Sequence, residues 1–88
     1  MDFAALKKTG VTQTEFAAIA GVSRVTVSNW TRNEAEVHDA RKPKIARLLD
    51  ILSKAHADGK LPLPQPTPRA NRLLEIKKVI ASYLKAGT

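Results

Sequence analysis

"QTEFAAIAGVSRVTVSNW", residues 13–30, turns on its one glycine, Gly21, which either interrupts a single long helix or hinges two short ones. Thr12 and Glu15 have the spacing of a capping box, in which a hydroxyl and a carboxylate satisfy backbone N–H groups reciprocally, so a helix starts at Thr12. Val11 and Phe16 are spaced as a hydrophobic staple across that start. Phe16, Ala17, Ile19 and Ala20 give a short apolar face, after which Gly21 supplies backbone freedom for a tight turn. Ser23 then caps a second helix, with Val27 and Trp30 three residues apart on its inner face and Val22 packed at its beginning. The spacing predicts two short helices hinged at Gly21.

The second of these helices turns an unusual surface to solvent. Beside Val27 and Trp30 it carries Arg24, Val25, Thr26, Ser28 and Asn29, hydrogen-bonding groups around one exposed aliphatic side chain. A helix fits the DNA major groove, where Arg pairs bidentately with guanine, Asn with adenine, and Val or Thr methyls touch the thymine methyl. Arg24 sits in the first turn, where the helix dipole disfavours a cation unless an anion lies beyond it.

With Phe16, Ala17, Ala20, Gly21, Val22, Val27 and Trp30 at these positions, residues 2–57 resemble the helix-turn-helix domains of the phage repressor and Cro type. The resemblance implies helices over 2–9 (closed by Gly10), 12–20, 23–31 (the recognition helix) and 43–57. It assigns base reading to Arg24, Val25, Ser28 and Asn29. Thr12, Gln13 and Thr26 match residues that touch phosphates or brace the recognition helix, and Ser23 and Arg32, at the ends of that helix, join the backbone-contacting set. Two departures stand out. The loop 32–41 is long and carries Glu34, Glu36 and Asp39, which DNA would repel, so it is expected to point away or toward another protein. A proline-rich segment also separates the fourth helix from the C-terminal part of the chain.

Beyond the loop, Ile45, Leu48, Leu49 and Leu52 recur at helical spacing and should close a core over the first three helices. Arg41, Lys42 and Lys44 crowd the beginning of this helix, where cations oppose the dipole, and are read as a clamp on the DNA backbone, with Arg47 beside them. Residues 59–68, "GKLPLPQPTP", cannot be regular helix and read as an extended linker, with Leu61 and Leu63 free to lie across an apolar groove. The chain then restarts: Thr67 has the position of an N-cap, Pro68 of a first helical residue and Gly87 of a C-cap. Leu73, Ile76, Ile80 and Tyr83 form an apolar stripe, read as a dimerisation element held out by the linker. Two recognition helices would then meet half-sites about 34 Å apart.

Composition bounds the function. The chain has 88 residues, no cysteine, and 15 Lys and Arg against 8 Asp and Glu, a net charge of +7 that favours a polyanionic partner. Disulfides and thiolate metal sites are excluded. The apolar runs are too short for a membrane span and the first residues lack a signal pattern, so a soluble, intracellular protein is expected. His38 beside Asp39, and His56 near Asp58, lack the companions that catalysis or metal binding needs; no enzyme activity, cofactor or metal is expected. Met1, Phe3, Leu6 and Trp30 read as core residues.

The sequence thus predicts an all-α protein: a small helix-turn-helix bundle of four helices over 1–58, a Pro-rich linker over 59–68 and a C-terminal amphipathic helix over 69–88. By resemblance it is expected to be a homodimeric repressor of the bacterial cytoplasm, phage- or prophage-encoded, that binds a palindromic double-stranded DNA operator. The alternative is a protein-binding helix-turn-helix module, antitoxin-like or engaging a host regulator through its acidic loop and last helix.

Overall fold

The chain folds into five α-helices in a computed structural model that describes residues 3–63 and 68–86. They are α1 (Ala4–Thr9), α2 (Gln13–Ala20), α3 (Arg24–Thr31), α4 (Lys42–Ala57) and α5 (Arg69–Ala86), with no strand among the described residues. The expectations placed on Met1, Asp2, Pro64, Gln65, Pro66, Thr67 and Gly87 lie outside the described residues.

Local chemistry sets the helix boundaries. Thr12 and Glu15 form the capping box at the head of α2: the Glu15 amide donates to Thr12 Oγ1 (3.1 Å) and the Thr12 amide to Glu15 Oε1 (2.9 Å). Gly21 ends α2 in the left-handed region (φ 76°), and the Val22 amide closes onto Ala17 O at 3.0 Å. The hinge is therefore a backbone conformation that glycine adopts freely and other L-residues resist. Gly10 ends α1 in the same way (φ 69°), but under a tighter constraint, because a Cβ there would lie 3.3 Å from Pro62 Cβ. Gly10→Ala is expected to cost on the order of 1–2 kcal/mol in a urea titration, from the left-handed backbone and this contact together. At the end of α3 the turn falls to Asn33 (φ 58°), a residue type that tolerates the left-handed region.

The helices pack α2 on α3 and α1 on α4, while α4 also contacts α2 and α5. One continuous core results, built on Phe16, Val27, Ile45 and Leu52, each at most 1% exposed. Phe3 packs edge-on to Phe16 (ring centroids 6.3 Å apart, planes at 87°) and tilted over Trp30 (5.9 Å), tying the start of the chain to the inner face of α3. Trp30 is 5% exposed, a core residue rather than a base-stacking one. Thr9, buried at the end of α1, is satisfied by donating its hydroxyl to Ala5 O at 2.7 Å.

The C-terminal third differs from the expectation in its helix and not in the segment before it. Leu61 and Leu63 are buried in the core, as extended residues laid across an apolar surface can be, and Pro62 lies against Gly10. Ile76 and Ile80 are 0% and 4% exposed in that same core. The stripe Leu73, Ile76, Ile80 and Tyr83, expected to face a second chain, is turned inward: Tyr83 packs partly against the core and donates its hydroxyl to Asp58, and Leu73 is half-buried beside α2. The physical reason is that α1 to α4 leave apolar surface on α4 that α5 covers, and intramolecular contact carries no association entropy. The Asp58 hydrogen bond, with burial adding to it, pushes the Tyr83 phenol above its usual range, and Lys60 Nζ sits 5.2 Å from the ring centroid.

Candidate nucleic-acid interface

The candidate interface is built on α3, whose outward residues are set by its inward ones. Val27 and Trp30 are buried. Arg24, Val25, Ser28 and Asn29 occupy an arc of about 140° on the opposite side at 3.6 residues per turn. Arg24 and Val25 are exposed, Val25 at 60%, whereas Ser28 and Asn29 are half-buried. Arg24 makes no hydrogen bond or ion pair among the described residues, so its guanidinium is uncommitted by the fold.

The residues assigned to the DNA backbone divide into two kinds. Some are engaged in bracing α3. Ser23 Oγ accepts from the Thr26 amide (3.2 Å) and shares a hydrogen bond with Thr26 Oγ1 (2.8 Å), forming the N-cap of α3. Gln13 Nε2 donates to Thr31 Oγ1 (3.1 Å), which in turn donates to Ser28 O (2.8 Å), so the first residue of α2 holds the last turn of α3. The others are exposed cations: Arg32 at the end of α3, and Arg41, Lys42 and Lys44 at the start of α4.

Two acidic residues of the loop pair with these cations. Arg32 Nη2 is 3.3 Å from Glu34 Oε2 and also donates to Asn29 Oδ1 at 3.3 Å; Lys42 Nζ is 2.9 Å from Asp39 Oδ1. Exposed pairs of this kind contribute little to stability, and they lower the positive potential of this edge. His38 closes the loop, its Nδ1 accepting from the Ala40 amide at 3.3 Å.

One group near the interface carries no signal in the sequence. Arg72 of α5 donates from Nε to Glu15 Oε2 (3.0 Å), and from Nη2 to Glu15 Oε1 (3.2 Å) and Gly10 O (2.7 Å). With the partners 57 positions apart, no local spacing marks the pair. Burial pushes the Glu15 carboxyl up, but the Arg72 hydrogen bonds and charge and the bonds to Thr12 outweigh it and hold it below its ordinary value of 4.5. A depressed carboxyl stabilises the fold above the unfolded-state value and loses that contribution as pH falls through the folded one. The stability difference between wild type and Glu15→Gln, measured by urea unfolding, is therefore expected to be full above pH 4.5 and to shrink below it.

Two short helices joined by a left-handed glycine, the second presenting a polar arc and anchored by apolar residues behind it, define a helix-turn-helix protein. A family model described as Helix-turn-helix matches residues 4–53, from α1 through most of α4, and the chain belongs to that family of DNA-binding regulators. No curated protein and no solved structure matches it. Among the described residues no His, Asp or Glu cluster could hold a metal ion, and no helix is long and apolar enough to cross a membrane.

Proposed function

We propose that the chain is a sequence-specific, Cro-like transcriptional repressor that acts as a homodimer on a two-fold symmetric operator and occludes polymerase. The observation that carries this reading is the arc Arg24, Val25, Ser28 and Asn29, its first two residues exposed and its last two half-buried, opposite a buried Val27 and Trp30. An aliphatic side chain left 60% exposed between an arginine and an asparagine has the chemistry of a thymine-methyl contact between hydrogen-bonding readers. In this reading Thr12, Gln13, Ser23, Thr26, Arg32, Arg41, Lys42 and Lys44 serve as phosphate contacts or braces.

Dimerisation passes to a different stripe of α5. With Ile76 and Ile80 inside, Ala70, Leu74, Lys77, Ala81 and Leu84 recur at intervals of four and three on the outside, and Leu74 and Leu84 remain 54% and 39% exposed. Leu74→Glu is expected to leave the fold intact and yield a monomer by sedimentation at concentrations where the wild type is dimeric. The alternative, a protein-binding module working through the acidic loop, has less support, because Glu34 and Asp39 already answer cations of the same chain.

The testing experiment is selection of bound sequences from a random DNA pool at near-physiological salt. A two-fold symmetric motif is the expected result. Binding that is indifferent to sequence and falls steeply with salt would reduce the basic charge to a generic field.

A further inference from the structure

We propose that Arg72 is a positioning residue for DNA binding: through Glu15 it lets the C-terminal helix α5 govern the α2–α3 reading unit. The inference rests on the DNA-reading role assigned to α3 above.

The geometry is specific. One guanidinium bonds both sides of the α1–α2 turn, Gly10 O before it and both carboxylate oxygens of Glu15 after it. Glu15 is also the residue that caps α2, through the Thr12 amide. Two residues before it, Gln13 clamps Thr31 at the end of α3. A continuous run of contacts therefore leads from α5 to the recognition helix. The side chains of Arg72 and Glu15 are only 20% and 13% exposed, so the pair is screened far less than the surface pairs of the acidic loop.

Charge gives the pair its second consequence. Glu15 lies in the first turn of α2, next to Thr12 and Gln13, which the proposed function sets against the DNA backbone. A bare carboxylate there would repel phosphates, and Arg72 cancels it. Arg72 does so with its Nε and Nη2 donors committed to Glu15 and Gly10. The groove beside the pair is lined by Thr12, Thr14, Ala18, Arg69 and Leu73, and Arg69 is the one other cation among these described residues.

The test uses the full chain and the best-bound duplex from the random-pool selection. Arg72→Gln leaves Glu15 charged without its guanidinium and is expected to weaken binding about tenfold, within the range of ordinary site–site coupling. Its deficit should shrink as salt rises, because the repulsion behind it is screened; loss of a direct phosphate contact is told apart by the double variant, which neutralising Glu15 would not then rescue. The double variant Glu15→Gln/Arg72→Gln removes both charges and should recover affinity to within about twofold, a non-additivity that marks a coupled pair. Circular dichroism at the assay temperature establishes that each variant is folded. A folded Arg72→Gln with wild-type affinity, or a double variant as weak as the single one, overturns the proposal. Should Arg72→Gln fail to fold, Glu15→Gln decides alone: freeing Arg72 beside the backbone should steepen the salt slope, and an unchanged slope and affinity overturn the proposal. Arg24→Ala is the control for the reading beneath it. If that variant also binds as the wild type does, the recognition-helix assignment fails; if only Arg24→Ala weakens binding, the Arg72 inference alone falls.

Discussion

Ile76→Ala is expected to lower the free energy of unfolding by about 2–5 kcal/mol, the cost of removing a buried branched side chain and leaving a cavity that relaxes incompletely. Ile76 is 0% exposed in a core shared by α4 and α5, so its neighbours are fixed by the rest of the bundle. Small domains have roughly 5–15 kcal/mol in total, which makes this a large fraction. The loss should be independent of protein concentration, because the contact lies within one chain. For a residue in a seam between two chains the difference between variant and wild type would itself change with concentration. Urea titrations at two widely separated protein concentrations decide between these, and a concentration-dependent loss would return Ile76 to the dimer interface.

Arg24→Ala is expected to weaken binding to the best operator by about 1–3 kcal/mol and to relax the preference at one base position. The fold isolates this effect. Arg24 is exposed and bonds nothing among the described residues, so its removal should leave the unfolding midpoint where it was. Loss of a phosphate contact would weaken all sequences alike, while loss of a base contact discriminates between them. Competition titrations against duplexes altered at single positions measure the difference. Unchanged affinity and unchanged preference would show that α3 does not read bases through its first turn.

The hinge and the two helices around it were legible because their signals are local. Thr12 with Glu15, Gly21 and Ser23 each act within four residues, and each occurs in the structure as the spacing predicts. The inward positions Phe16, Val27 and Trp30 came from period alone. What period cannot tell is against which surface an apolar stripe is laid. Leu73, Ile76, Ile80 and Tyr83 were a correct inner face assigned to the wrong partner, since a stripe looks the same whether its own chain or a second copy covers it. The proline-rich segment shows the same limit: prolines exclude a helix without forbidding burial, and sequence leaves open which surface Leu61 and Leu63, both core residues, lie across. The Arg72–Glu15 pair had no signal at all, being one of many Arg and Glu combinations in a charged chain. Asn33 did carry one, an asparagine just after the last turn of α3, where a left-handed residue ends a helix.

The hydrogen bond from Arg72 to Gly10 O spans 62 residues of an 88-residue chain, and this separation bears on how the protein is made. Synthesis proceeds from the N-terminus at about 5–20 residues per second, so Gly10 is joined seconds before the Arg72 that ties it. Until α5 docks, the face of α4 that it covers has no partner and the turn between α1 and α2 has no guanidinium to tie it. Closure of the bundle therefore waits on α5, and a chain whose α5 is undocked carries an uncovered apolar face that can adhere to other chains.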